Sequence, residues 1–263
     1  MSGSTPNFLV ISVAPKSQNK TARYLERVGL PYTVLLPNTV GDKIVEGYGE
    51  SADVYDARKY AKCVDFCGSN LKNGCAVARE AATDYTKSVG GWSVVLDDDY
   101  SGLWSTAPNN HQMNAKEIVA MCVALHNLEA NWGIELGGYS GGAYPARKNN
   151  IMNVFFVGQD TPGGKYRMIF NEDVCSSIES WQHGRACFGM GQLIRSGGQT
   201  AEGVKGTGNI EFYKDDKSYR KSFGSVLQDP LNAKIEQNHN NKNTFLWHHK
   251  IHWADICPKI MLE

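Results

Sequence analysis

The chain has 263 residues, of which 41% are hydrophobic and 10% aromatic. That is the composition of a globular protein with a sizeable core, in one large domain or two small ones, and it excludes a disordered chain. Formal charges cancel overall, but residues 1–184 carry 16 basic and 19 acidic side chains and residues 185–263 carry 11 and 8. Such a mild asymmetry suits a polyanionic partner near the C-terminal third and a solvated surface equally well, so charge alone does not indicate nucleic-acid binding.

No apolar run approaches the roughly 20 residues that cross a bilayer, and the start from Met1 to Asn7 is polar. A soluble, cytoplasmic protein with no signal peptide and no membrane partner is expected. Seven cysteines, an odd number scattered along the chain, fit reduced thiols better than a disulfide framework. Cys63, Cys67 and Cys75 lack a close fourth ligand and read as buried small hydrophobes, not as a zinc site.

In chain order, Phe8 to Val13 is a short β-branched apolar run that predicts a buried first strand ending at Ala14-Pro15. Lys20 to Val28 predicts a helix closed by Gly29, and Tyr32 to Leu36 a second strand stopped by Pro37-Asn38. Strand, helix and strand in succession indicate a βαβ unit and a parallel sheet. Residues 38–56 read as loop or short irregular structure. Cys75 to Lys87, rich in alanine, predicts a helix, and Trp92 to Leu96 a strand running into Asp97-Asp98-Asp99. Ala115 to Leu128 predicts a helix with Asn114 as N-cap and Glu117 completing a capping box. Gly137 to Gly142 is turn-rich, strands follow near 152–157 and 166–170, and the glycine-rich stretch 196–208 reads as a mobile loop. With no internal repeat and no long linker, a single domain over 1–263 is expected.

Val94 to Asp99 carries the sharpest chemical signal. An apolar strand ending in clustered carboxylates puts negative charge at the carboxyl edge of a parallel sheet, where open α/β folds bind ligands. Adjacent carboxylates repel unless something positive lies among them. A hard divalent cation, magnesium or manganese, bridging a diphosphate fits, and so does a solvated acidic turn with no ligand. Nucleotidyltransferases and phosphatases show similar carboxylates, so the cluster indicates metal plus phosphate, not sugar transfer in particular.

Glu172 and Asp173 follow a predicted strand and are placed to act as a general base, although Asp173 equally suits an N-cap for a helix over Val174 to Trp181. Trp247 to Trp253 holds His248, His249 and His252, which suit a metal or an ordinary strand with surface imidazoles. Arg79 and Lys20 are candidate phosphate contacts, and Trp181, Tyr213 and Tyr219 candidate stacking groups, although core packing is the commoner fate of aromatics.

Taken in order, Val10-Ile11-Ser12-Val13-Ala14-Pro15, Lys20-Thr21, Tyr24-Leu25, Gly29-Leu30-Pro31-Tyr32, Ala78-Arg79, Val95 to Asp99, Gly137-Gly138, Phe170 to Asp173 with Gly184, Tyr213 to Phe223, His249-Lys250-Ile251 and Pro258-Lys259-Ile260 span nearly the whole chain. This ordered set resembles the TET/JBP-associated DNA glycosyltransferases, found in phages and in the kinetoplastid base J pathway. The resemblance implies an α/β GT-A fold, a Rossmann-like mostly parallel sheet flanked by helices, with a nucleotide-sugar half over about 1–135 and an acceptor half over about 136–263. It implies a UDP-sugar donor, a divalent metal, and as acceptor the hydroxymethyl group of 5-hydroxymethylcytosine or 5-hydroxymethyluracil in double-stranded DNA. By that likeness Asp97 and Asp98 contact the nucleoside with Arg79, Pro15 and Lys20, and Asp99 holds the metal with Asp97 and His248 or His249. Asp173, with Glu172 as its alternate, is the general base. Gly137, Gly138, Trp181, Arg185, Tyr219 and Lys221 line the acceptor side, and the basic 185–221 region would meet the DNA backbone. The residues taken alone also leave open a transferase acting on a glycan, protein or small molecule, and a nucleotidyltransferase-like module that binds metal and nucleotide.

Overall fold

The computed structural model describes residues 5–60, 74–105, 111–138, 147–148, 154–168, 170–190, 194–197, 217–238 and 246–256, with backbone only for 147–148, 190 and 194–197. Its strands are β1 (Asn7–Ile11), β2 (Thr33–Pro37), β3 (Ala52–Tyr55), β4 (Trp92–Asp97), β5 (Tyr100–Ser105), β6 (His111–Gln112), β7 (Glu135–Gly138), β8 (Arg147–Lys148), β9 (Val154–Gly158), β10 (Cys187–Met190), β11 (Ile194–Gly197), β12 (Ala233–Gln237) and β13 (Trp247–Ile251). Its α-helices are α1 (Lys20–Val28), α2 (Asp42–Tyr48), α3 (Cys75–Val89), α4 (Ala115–Trp132), α5 (Glu172–Gln182), α6 (Tyr219–Gln228) and α7 (Trp253–Ile256).

Among the described residues the main sheet runs β3-β2-β1-β4-β9-β7-β10-β8. β3, β2, β1 and β4 are parallel, β9 is antiparallel to both β4 and β7, and β10 is again parallel to β7. The fold is therefore α/β with a mostly parallel central sheet flanked by helices. Covering both faces explains the continuous apolar runs. Phe8, Val10, Val94 and Leu96 face a core shared with Ala22, Leu25 and Ile118, while Leu9, Ile11 and Val95 face a second core shared with Ala78, Ala82, Ile178 and Trp181. Strand alternation thus feeds two cores at once.

Two smaller sheets complete the architecture: β11-β5-β6, next to the end of β4, and the β12-β13 hairpin, which packs with α6. The capping box at the start of α4 forms as expected: Asn114 Oδ1 accepts from the Glu117 amide at 3.1 Å, and Glu117 accepts from the Asn114 amide at 2.9 Å. Gly29 ends α1 in the left-handed region at φ 75°, with its amide bonded to Glu26.

Three expectations require correction. Residues 38–56 are not irregular: they form α2, a 3-10 turn at Gly49–Ser51 and the edge strand β3. Of the strand expected over 166–170 only a bridge at Met168 forms among the described residues, and Glu80 on α3 accepts the amides of Gly164 and Tyr166 at 2.7 Å each, tying the start of this stretch to a helix instead of a ladder. Asp173 is not an N-cap, because α5 begins one residue earlier, at Glu172, with Asn171 as its cap in the left-handed region (φ 54°, ψ 35°). Most of the glycine-rich stretch, along with Cys63, Cys67, Lys205, Tyr213, Lys214 and Pro258 to Ile260, lies outside the described residues.

Candidate functional site

The topology gathers the starts of α1, α3 and α5 at the carboxyl edge of the sheet, around the tip of β4. Helix N-termini carry partial positive charge and favour anions. The β4 tip is held from its backbone outward. The amides of Lys20 and Thr21 both donate to the Asp98 carbonyl, at 2.9 and 3.3 Å. The Thr21 hydroxyl donates to the Asp97 carbonyl at 2.6 Å and accepts from the Tyr100 amide at 2.9 Å. Lys20 thus contributes a backbone N–H, and its side chain is exposed. Pro15, half-buried in the β1–α1 loop, accepts the amides of Gln18 and Asn19.

Each aspartate has a separate environment. Asp97 Oδ1 pairs with Arg79 Nη2 at 3.1 Å, and the Tyr100 hydroxyl lies 3.4 Å from Oδ2. Asp98 accepts the Ser12 hydroxyl at 2.5 Å. Burial pushes the Asp98 carboxyl up to about 6, and the charges of Asp97 and Asp99 push the same way against that hydrogen bond. Asp99 is half-buried at the turn into β5.

Arg79, on the second turn of α3, ties this tip to α5. Its side chain is 4% exposed, and Nε meets Glu172 Oε1 at 3.2 Å while Nη2 holds Asp97. The guanidinium carbon lies 3.9 Å from the Phe155 ring centroid. Nη1 is buried and has no hydrogen-bond partner among the described residues. Burial pushes the Glu172 carboxyl up to about 7, against the opposing pull of Arg79. Asp173, next along α5, accepts its neighbour Val174's amide on Oδ1 at 2.9 Å.

The α6 and β13 segment closes this corner. Burial lowers the Lys221 ammonium pKa, and the nearby charges of Asp173 and Glu172 oppose that shift. Asn171 reaches the Lys221 carbonyl at 2.8 Å and His249 Nδ1 at 3.1 Å. Asp97, Asp98, Arg79, Glu172, Asp173, Lys221 and His249 therefore share one region. Gly137 and Gly138 are buried at the same edge, with Gly137 opposite Phe155 and Gly138 opposite Met190.

Other candidates lie elsewhere. Trp181 is 1% exposed and belongs to the second core, so it offers no stacking face. Arg185 precedes β10 at the opposite edge of the sheet, 3.7 Å from Glu135, beside a cavity of about 360 Å³ that also includes Trp92, His126 and Lys165 in its lining. Asp97, Asp98 and Asp99 are not among the residues lining that cavity, and Arg185 goes with it. His248 is exposed on β13, and Tyr219 is 44% exposed on α6.

No three His, Cys, Asp or Glu side chains among the described residues converge as a preformed metal cage. The donor set nevertheless fits a magnesium-type ion, which takes one or two carboxylates and completes its shell with phosphate and water. Asp97 and Asp99, half-buried hard oxygen donors on one turn, meet that requirement. Ser12, Thr21 and Asn171 belong to the site without a role expected of each from the sequence, and Cys75, expected only as a buried hydrophobe, belongs to it as well. Ser12 and Thr21 stand beside residues that had one, whereas the half-buried Cys75 at the start of α3 is revealed only by the fold.

Arg79 sets the electrostatic cost of this arrangement. Replacing it with Met would leave two carboxylates without their shared counter-charge. A loss of about 3–5 kcal/mol in unfolding free energy is expected, the range for removing one partner of a buried pair. Urea melts at pH 7.5 would measure it, and a loss below about 1 kcal/mol would show that Arg79 is not the counter-ion of both acids.

No protein-family model matches the chain, and no curated protein matches it with significance.

Proposed function

We propose that this chain is a GT-A-type glycosyltransferase that moves a sugar from a UDP-sugar to the hydroxymethyl group of a modified pyrimidine in DNA, with a divalent metal at the β4 tip. The observation that carries the reading is the buried guanidinium of Arg79, held between Asp97 and Glu172 with Nη1 lacking a partner among the described residues. An unsatisfied buried donor costs about 1–3 kcal/mol, and an oxygen of a bound nucleotide sugar is the kind of acceptor that would recover it. The strand order, parallel but for β9 inserted beside β4 and the edge strand β8, agrees with a Rossmann-like donor-binding core.

The proposed division of labour follows from position. Asp173 takes the proton of the acceptor hydroxyl as that oxygen attacks the anomeric carbon and the bond to the diphosphate breaks. Among the described residues its Oδ2 makes no hydrogen bond, whereas Glu172 is engaged with Arg79. Lys221 adds fixed positive charge next to the pair. A divalent ion held by Asp99 and Asp97 would offset the charge gathering on the departing diphosphate.

For the acceptor, the exposed side of α6 offers Tyr219 and Phe223, stacked with ring centroids 6.5 Å apart, and Trp247 edge-on to Tyr219 at 5.5 Å. Lys217 and Arg220 flank them in sequence. Aromatic faces beside basic groups suit an unstacked base and its phosphates. Incubation with UDP-sugars and manganese should place sugar on hydroxymethylated duplex DNA and not on unmodified DNA, read by the mass of the digested nucleosides. Binding to that duplex should weaken as salt rises from about 50 to about 200 mM. Sugar found on free glycans but never on modified DNA would overturn the DNA acceptor.

A further inference from the structure

Asn171 and His249 come from distant parts of the sequence and meet through one hydrogen bond whose direction can be assigned. Asn171 is 4% exposed, and its amide nitrogen lies 2.8 Å from the Lys221 carbonyl oxygen. A carbonyl only accepts, so this contact identifies the NH₂ end of the amide. The same nitrogen lies 3.1 Å from His249 Nδ1 and 3.4 Å from Ser225 Oγ. An amide NH₂ has no lone pair to offer, so a proton on Nδ1 would set two donors face to face. Nδ1 must therefore accept, and the proton of the neutral ring resides on Nε2. An Nδ1 that accepts carries no proton, so the Asn171 contact itself makes the ring neutral, and burial, with His248 and Lys221 alongside, lowers the imidazole pKa in the same sense.

An Nε2 that carries a proton is a hydrogen-bond donor and has no lone pair for a metal. Nδ1 is already occupied by Asn171. Asn171 caps the helix that begins with Glu172 and Asp173, so its 3.1 Å contact sets the His249 ring beside the proposed transfer site. We propose that Asn171 locks His249 as the Nε2–H tautomer, and that His249 then donates a hydrogen bond to a phosphoryl oxygen of a bound substrate instead of ligating the metal. This rests on the glycosyltransferase reading for the identity of the substrate, but the tautomer rests on the Asn171 geometry alone. The phosphoryl oxygen belongs either to the nucleotide diphosphate or to the DNA backbone.

The test uses the whole chain labelled with ¹⁵N in its histidines. Long-range proton–nitrogen spectra at pH 7 should show His249 with Nε2 protonated and Nδ1 bare. Binding is then measured for three probes: UDP in chelator, an unmodified DNA duplex in chelator, and Mn²⁺ alone. His249→Ala should weaken one phosphate-bearing probe about 10-fold, about 1.4 kcal/mol, and leave Mn²⁺ unchanged. Loss on UDP assigns the oxygen to the sugar donor, and loss on the duplex assigns it to the acceptor strand. His249→Gln retains an N–H and should stay within about threefold of wild type. Asn171→Asp, whose carboxylate only accepts, should move the ring proton to Nδ1 and reproduce the His249→Ala loss. If that variant does not fold, the wild-type spectrum and the two His249 variants decide the matter alone.

A bare Nε2 in the wild type overturns the proposal. So does loss of Mn²⁺ binding in His249→Ala with both phosphate probes unaffected. A wild type that binds neither UDP nor duplex overturns the substrate reading and the phosphoryl role with it, whereas an Nε2–H signal in that protein still upholds the hold of Asn171 on the ring.

Discussion

Asp173→Asn is expected to slow sugar transfer by about 10²–10⁴-fold, the usual contribution of a positioned general base, with UDP affinity unchanged. The substitution is close to isosteric. The side-chain carbonyl oxygen of the variant can still accept the Val174 amide, which Asp173 Oδ1 holds at 2.9 Å. The first turn of α5 should therefore survive, and the folding free energy should move by less than about 1 kcal/mol. What disappears is the oxygen that takes the acceptor proton. Glu172→Gln has a different expected signature, because Glu172 Oε1 holds Arg79 Nε at 3.2 Å and Arg79 in turn holds Asp97. Its effect should appear in donor binding as well as in rate. Single-turnover kinetics with saturating donor separate the two variants. If Glu172→Gln removes nearly all the chemical step and Asp173→Asn removes almost none, the base is Glu172, whose carboxyl burial pushes up to about 7.

Where each side chain of the site stands follows from local signals to very different degrees. β1, α1, β2 and β4 were legible because their apolar runs are covered on both faces, and because Gly29 closes α1 with cap chemistry readable in the chain, whereas the Asn19 cap at its start escaped. The placement of Asp97 to Asp99 at the carboxyl edge of the sheet follows from the same runs. β3 escaped because it is an edge strand, half-covered along its length with Val54 45% exposed, and so shows no alternation. α2 escaped because it is short and contains Gly47, a poor helix former.

Arg79 illustrates the harder class. A lone arginine on a helix is usually solvated, and nothing within several residues of it reveals that Glu172 lies against it across 93 positions of chain. The same holds for Asn171 and His249, 78 positions apart. Trp181 and Arg185 failed in the opposite direction. Each has a side chain suited to a ligand, but the register of α5 turns Trp181 into the core, and Arg185 stands at the start of a strand whose far end faces the site. Residue type indicates what a group can do, and only the crossing of elements decides where it does it.

Asp99→Asn should reduce transfer about 10³-fold, about 4 kcal/mol, and chelation of the wild type should do the same, because the tip then lacks the charge that balances a departing diphosphate. The pH dependence of stability offers a check that needs no substrate. The ordinary carboxyl value for Asp98 is 3.8, and in the folded chain burial with help from Asp97 and Asp99 raises it to about 6. The folded state therefore binds the proton more tightly than the unfolded state does. The associated stability is fully present below about pH 4 and is lost as pH rises to about 6. Asp98→Asn, which can still accept the Ser12 hydroxyl, lacks that loss. In chelator the wild type should accordingly fall behind Asp98→Asn by up to about 2 kcal/mol between those pH values, and Mn²⁺ with UDP should close the gap at pH 7. Denaturant melts across the pH series give both quantities. Parallel curves for the two proteins, unmoved by metal and nucleotide, would mean that the three aspartates form a solvated turn, and the electrostatic reason for placing a cation there would be gone.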